Sequence, residues 1–293
     1  MGADYLEQDV VATRDDQLVV LHDVHLDRVT DVQARFPGRA RSDGRWYVRD
    51  FSLKEIKTLR VHHRRKPDGS PVYPTRDSGH DDDARVLSFV EELEMVQALQ
   101  QANGRPVGIY PEIKRPQWHR GEGVDVAPRF LGILNEFGYS EHADPVYVQC
   151  FDASELRRIR HQLGSRLKLV QLIAENSWDE APTNFDPLRT SRGLQRLART
   201  VDAVGPWINR LYRVAKQGSA IHSTGLVKRA HAAGLAVHPY TFRTDDLPPG
   251  ITSPEALLSF CIDELCVDGL FADFPDVVIQ FLLKHSARPK RGN

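Results

Sequence analysis

The chain has 293 residues, enough for one large α/β domain or two ordinary ones, and its 41% apolar and 27% charged content exclude a disordered or collagen-like protein. A formal net charge of -1, from 39 basic against 40 acidic residues, removes any whole-molecule attraction to nucleic acid or to an anionic membrane. No apolar run reaches the roughly 18 to 20 residues of a membrane span, and no basic-then-apolar signal segment opens the chain.

In chain order, residues 5–11 read as a strand, Tyr5-Leu6-Glu7-Gln8-Asp9-Val10-Val11. Glu7 and Asp9 are two apart, so a strand projects both carboxylates from one face, as two ligands of one cation require. The next apolar run, Leu18-Val19-Val20-Leu21, closes on His22. At this point the pair of runs reads equally as a hairpin with a polar rim. Residues 24–85 are polar and rich in Arg and Asp, and form an insertion whose clear helical signal is a capping box, Ser52 with Glu55. Within it, residues 66–83 have almost nothing to bury and read as a long exposed loop.

From Val86 onward the pattern becomes regular. An amphipathic helix over 87–99 is followed by apolar runs at 107–114, 146–151, 167–173, 203–206, 235–241 and 269–273. Helical periods fill the intervals, at 126–136, 153–162, 189–199, 224–233 and 254–265, with a last helix over 275–285. Strand then helix, repeated, is the signature of a parallel sheet. With the run at 5–11 this makes seven units where a closed β/α barrel needs eight, and the missing unit is expected at the N-terminal side. Cys150, Cys261 and Cys266 fit no disulfide framework or zinc motif and read as small buried hydrophobes. The basic stretch 284–293 reads as a frayed, solvated tail.

In a barrel the catalytic groups gather at the carboxyl ends of the strands, where this sequence places Glu7, Asp9, His22, Glu112, Lys114, Gln149, His238, Tyr240 and Asp273. Three carboxylates, Glu7, Asp9 and Glu112, suit a hard cation, Ca²⁺ or Mg²⁺, and match zinc poorly. Glu112 and Lys114 share a strand face, setting an ammonium beside the cation where a phosphate could bridge both. Taken alone, that Glu-x-Lys pair would be a rim ion pair worth under about 1 kcal/mol. His22 has the ordinary pKa range of a general acid or base. His238 fits either packing or a substrate-facing role, and the remaining histidines, His119 and His80 among them, read as surface residues.

These residues, in this order, resemble the glycerophosphodiester phosphodiesterase family, in its bacterial periplasmic branch. The likeness rests on Gly2-Ala3-Asp4-Tyr5-Leu6-Glu7-Gln8-Asp9, Leu21-His22-Asp23-Val24-His25-Leu26-Asp27-Arg28-Val29-Thr30-Asp31-Val32, Ile109-Tyr110-Pro111-Glu112-Ile113-Lys114, Val148-Gln149-Cys150-Phe151-Asp152, Val237-His238-Pro239-Tyr240-Thr241 and Gly269-Leu270-Phe271-Ala272-Asp273-Phe274-Pro275-Asp276. Six separated motifs in register span essentially the whole chain. The resemblance implies a (β/α)8 TIM barrel with a small insertion after the second strand, here a single domain over 1–293 with its insertion at about 24–85. It implies metal-dependent hydrolysis of glycerophosphodiesters to sn-glycerol 3-phosphate and an alcohol. Glu7, Asp9 and Glu112 would hold the divalent cation, His22 would be one of two catalytic histidines, Lys114 and Gln149 would meet the phosphate, and Tyr240 would stand at the substrate mouth.

The sequence departs from the family in one respect. The family's opening strand, which ends in His-Arg-Gly and is followed by Pro-Glu-Asn-Thr or a near variant, does not precede Gly2-Ala3-Asp4. The expectation is therefore a barrel lacking its first strand, N-terminally truncated and impaired in turnover. The alternative is a non-catalytic remnant of the same barrel that still binds metal and phosphate esters. An unrelated metal-dependent sugar isomerase would need more ligands on later strands than Asp273 and His238. The expected partner is a small-molecule glycerophosphodiester, with no nucleic acid and no membrane span. The resemblance implies a periplasmic full-length protein, while the lack of a signal segment leaves the cytoplasm open; oligomeric state is not legible.

Overall fold

A computed structural model describes residues 1–76, 84–215 and 221–286. The chain divides into two compact units, the first comprising residues 7–148 and 165–167, the second 1–6, 149–164 and 168–293.

The first unit begins with β1 (Tyr5–Ala12) and β2 (Leu18–Val20), which pair antiparallel with Val10 opposite Val20 and Ala12 opposite Leu18. The first two apolar runs are thus a hairpin. Asp16 supplies the left-handed residue of its turn at φ 57°. The stretch 24–85 contains α1 (Val32–Arg35) and α2 (Leu53–Ile56), the latter opened by both halves of the Ser52/Glu55 capping box. Its polar composition conceals a core of its own. Val24, Leu26, Val32, Val48, Phe51, Ile56 and Leu59 are buried together with Val11, Val19 and Leu21 of the hairpin, and Phe36, Trp46 and Tyr47 pack against them. Arg41 ties this insertion to the following elements: its guanidinium meets Asp50 at 2.8 Å and Glu122 at 2.7 Å while lying 4.2 Å over the Tyr47 ring. Two carboxylates bound in forked geometry hold it more firmly than a single surface ion pair would.

α3 (Phe89–Asn103) starts at the Ser88/Glu91 capping box and stops at Gly104, φ 61°, a left-handed stop that glycine adopts without a Cβ penalty. β3 (Gly108–Ile113) is buried along its whole length. After it come α4 (Pro116–Gly121), which the periodicity did not reveal, α5 (Val126–Glu136) and β4 (Tyr147–Cys150). In this unit the strands lie in the order β2, β1, β3 and the start of β4. The reading of His119 as a surface residue is wrong: it is fully buried in α4, accepting from the Ala12 N–H at its Nε2 (3.1 Å) while its Nδ1 faces the Lys114 carbonyl (3.0 Å). Burial lowers its pKa to about 4, so it is a neutral structural link.

The second unit continues with α6 (Ala153–His161), N-capped by Asp152, and β5 (Lys168–Ile173). A short helix α7 (Phe185–Leu188) precedes the helix expected at 189–199, which is α8 (Ser191–Leu197) and starts where the Thr190 side chain accepts from the Gly193 N–H. β6 (Ala203–Pro206), a hairpin of β7 (Tyr212–Val214) and β8 (Ile221–Ser223), α9 (Leu226–Ala232) and β9 (Ala236–Val237) follow. β5 and β6 pair parallel with Val170 opposite Ala203, as do β6 and β9 with Val204 opposite Val237. The run 235–241 is a strand only at its start, since Pro239 has no N–H for a ladder; beyond it stand single parallel bridges, Trp207 with Tyr240 and Phe242 with Ala272. The run 269–273 is reduced to the second of these. α10 (Pro254–Ser259) leads into a wider turn, Phe260–Glu264, and α11 (Pro275–Ser286) closes the described chain.

Cys150 and Cys261 are buried as expected, the Cys261 thiol pushed up to about 12 by desolvation, but Cys266 is exposed in a left-handed turn at φ 57°. Lys284 and His285, read as part of a frayed tail, belong to α11; residues 287–293 of that tail, His80 and 77–83 of the long loop lie outside the described residues.

Phe51 has no exposed surface and lies under the Arg39 guanidinium at 3.9 Å. Phe51→Ala is expected to cost about 3 to 5 kcal/mol of unfolding free energy in urea, and Ser88→Ala about 1 kcal/mol. A loss under about 1 kcal/mol for Phe51→Ala would mean that the insertion has no packed core.

Candidate active site

Strand geometry assembles the carboxylates. β1 and β3 are neighbours, and the two-residue periods Glu7/Asp9 and Glu112/Lys114 each turn a pair of polar side chains to one face. One ligand oxygen from each of Glu7, Asp9 and Glu112 lies within 4.8 Å of the other two. The Lys114 ammonium stands 3.0 Å from Glu112 and 3.6 Å from Asp9, with the Lys114 and Glu112 side chains 5% exposed. The Lys114 N–H also donates to the Val10 carbonyl at 3.1 Å, and Gln8, on the opposite face of β1, accepts from the Tyr110 N–H at 3.3 Å. These bonds fix the register that sets the four side chains together.

Three carboxylates against one ammonium leave an excess of negative charge. Glu7 is exposed as a residue, yet desolvation of its carboxyl, then the Asp9 and Glu112 charges, push its pKa well above the ordinary value. Nearby Glu92 on α3 is raised to about 7, first by desolvation and then by the Asp9 charge. Such a site is short of cation, and an all-oxygen donor set fits a hard divalent ion.

His22 follows β2, one residue beyond Leu21, whose N–H donates to the Asp9 carbonyl at 2.8 Å. Its side chain is 56% exposed and its Nδ1 meets Asp23 at 2.8 Å; the other Asp23 oxygen accepts from Arg64 at 2.5 Å. Burial opposes ionisation of Asp23, but the His22 hydrogen bond and charge, together with Arg64, outweigh it and hold the carboxyl well below the usual range. An ionised Asp23 keeps the neutral imidazole protonated at Nδ1 and leaves Nε2 to exchange protons. Sequence reasoning did not single out Asp23 or Arg64. Adjacency to His22 was a signal for the first, whereas nothing in the sequence links Arg64, 41 residues on, to that carboxylate.

The other expected site residues lie in the second unit. Gln149 is buried in β4, and Tyr240 is half-buried, its hydroxyl donating to the Ile173 carbonyl at 3.1 Å and its ring edge-on to Phe151. His238 packs where Gly269 has no side chain; a Cβ there would lie 3.2 Å from its ring. Asp273 is paired with Arg243 at 2.7 Å.

A carboxyl raised by its surroundings costs stability once ionised. For Glu92 this cost sets in as pH rises above about 4.5 and is complete above about 7. Glu92→Gln is therefore expected to stabilise the chain at pH 8 and to leave it nearly unchanged at pH 4.5, compared by urea unfolding; equal effects at both pH values would contradict the assignment.

Residues 1–277 match the model of the Glycerophosphoryl diester phosphodiesterase family. The chain is 39% identical over 298 aligned residues to a glycerophosphodiester phosphodiesterase of Haemophilus influenzae, with 96% of this chain and 82% of that protein covered. For its Treponema pallidum namesake the figures are 34% identity, 97% and 85%. Among solved structures, a Silicibacter pomeroyi putative glycerophosphoryl diester phosphodiesterase superposes with a TM-score of 0.66 at 19% identity, covering 97% of this chain and 84% of that one. An Oleispira antarctica phosphodiesterase in complex with its product sn-glycerol-3-phosphate superposes at 0.61 and 16% identity, covering 96% and 85%. Likeness at that level of identity shows the fold, an α/β barrel.

Proposed function

This chain belongs to the glycerophosphoryl diester phosphodiesterase family, and from that membership we propose that it carries a metal-dependent site hydrolysing glycerophosphodiesters to sn-glycerol 3-phosphate and an alcohol. The carrying observation is the trio Glu7, Asp9 and Glu112 gathered around the buried Lys114. Bound there, Ca²⁺ or Mg²⁺ supplies charge neutralisation at the phosphoryl oxygens and a lowered pKa for an attacking hydroxyl. Glu7, Asp9 and Glu112 hold the ion. Lys114 places a second positive charge for a phosphoryl oxygen, and His22, oriented by Asp23, moves a proton at its Nε2. Gln149 and Tyr240 are assigned to phosphate and substrate contacts by the resemblance.

Within these 293 residues the tripeptide His-Arg-Gly occurs as His119-Arg120-Gly121, where the histidine is buried and structural. It does not replace the second catalytic histidine that the resemblance implies. No helix among the described residues is long and apolar enough to cross a membrane, and the resemblance assigns the full-length protein to the periplasm, which cell fractionation tests.

The deciding experiment follows glycerol 3-phosphate release from glycerophosphocholine by the protein, before and after chelation. Chelation is expected to abolish turnover, Ca²⁺ or Mg²⁺ to restore it, and Glu112→Gln to weaken cation binding beyond the roughly 10- to 100-fold typical of an outer-shell partner. His22→Ala should lower kcat about 10²- to 10⁴-fold while leaving cation affinity intact. Turnover indifferent to chelation overturns the reading; cation binding without turnover identifies a non-catalytic binder instead.

A further inference from the structure

The insertion carries an open cavity of about 510 Å³. Four cationic side chains, Arg28, Arg45, Arg65 and Lys66, line it against two carboxylates, Asp27 and Asp31. The balance of hydrogen-bonding capacity is more unequal than the charge. Asp27 is 8% exposed and already accepts from Arg45 Nε at 3.0 and 2.8 Å and from the Trp46 N–H at 3.4 Å. Asp31 accepts from the Arg60 N–H at 2.8 Å and from Arg35 at 3.4 Å. Both carboxylates are thus committed.

The donors are not. Arg45 engages Asp27 sideways through Nε, which leaves its two terminal nitrogens without a hydrogen-bond partner among the described residues. Arg28 and Lys66 make no side-chain hydrogen bond or ion pair there; Asp68, whose carboxyl feels the Lys66 charge, is spent on the Ser70 N–H and hydroxyl. Arg65 reaches only the Gly69 carbonyl, at 3.5 Å. A concave surface with open guanidinium and ammonium donors and filled acceptors is matched to an anion.

We propose that this cavity is an accessory anion site that takes a phosphate monoester group through Arg28, Arg45 and Lys66. Guanidinium forks match the several acceptor oxygens of a phosphate dianion, and the volume admits a phosphate ester larger than a bare carboxylate. The shared chemistry has two sources, a free phosphate ester or the head group of an acidic lipid such as phosphatidic acid. The site stands apart from the carboxylate cluster in its residues and in the sign of its charge, so it does not depend on the catalytic reading.

The test titrates the whole chain with inorganic phosphate at low salt by calorimetry and Trp46 fluorescence, and measures co-sedimentation with phosphatidylcholine vesicles with and without phosphatidic acid. Arg28→Gln/Lys66→Gln is expected to weaken one phosphate-binding event about 10- to 100-fold that Lys114→Gln leaves in place. The same pair of changes should leave glycerophosphodiester hydrolysis unaltered. Vesicle binding that requires phosphatidic acid and is lost in the pair, with no phosphate isotherm, supports the site with the lipid as its source. Phosphate and vesicle binding both absent, or both unmoved by these substitutions, overturns the proposal. Lys66→Gln alone, at an exposed position, gives the same reading if the pair fails to fold.

Discussion

Three carboxylates crowded against one ammonium are the constraint around which the first unit is organised. Burial first, and repulsion from Asp9 and Glu112 second, raise the Glu7 carboxyl, and burial with the Asp9 charge raises neighbouring Glu92. The cost is sustained by a rigid frame: β1 and β3 lie side by side, Lys114 bonds to Val10 through its backbone, and Gln8 and His119 bond across to Tyr110 and Ala12 from buried positions. A site that holds three carboxylates together with a single ammonium between them is preorganised for a further cation.

The insertion is part of this machinery. Its core shares Val11, Val19 and Leu21 with the hairpin that carries Asp9 and leads to His22, so burial there stiffens the site's own strands. Arg64, within the insertion, secures the carboxylate that orients His22, and Arg41 fastens the same segment to Glu122 after α4. One polar-looking stretch thus serves packing, imidazole orientation and, through its basic cavity, a separate capacity for anions.

Much of the fold was legible because the signals were local. The capping box at Ser52 opened its helix, the period over 126–136 gave α5 to the residue, and the alternation of Glu7 with Asp9 and of Glu112 with Lys114 put both pairs on one face of their strands. Where partners lie far apart in sequence the signals failed. His119 looked like a surface residue because the Ala12 N–H that its ring accepts lies 107 residues away on β1; the core of 24–85 was hidden because its apolar residues are spaced among arginines and aspartates with no single period.

The sequence by itself determined the α/β alternation, the carboxylate trio, the lysine beside it and the histidine after the second strand, because strand and helix periods and residue chemistry are properties of neighbours along the chain. Tertiary structure alone decided that Asp23 and Arg64 join His22, that the first two runs pair as a hairpin, and that Arg28, Arg45 and Lys66 converge on one cavity. Those relations are contacts between residues up to 41 positions apart, and long-range packing sets them rather than any local period.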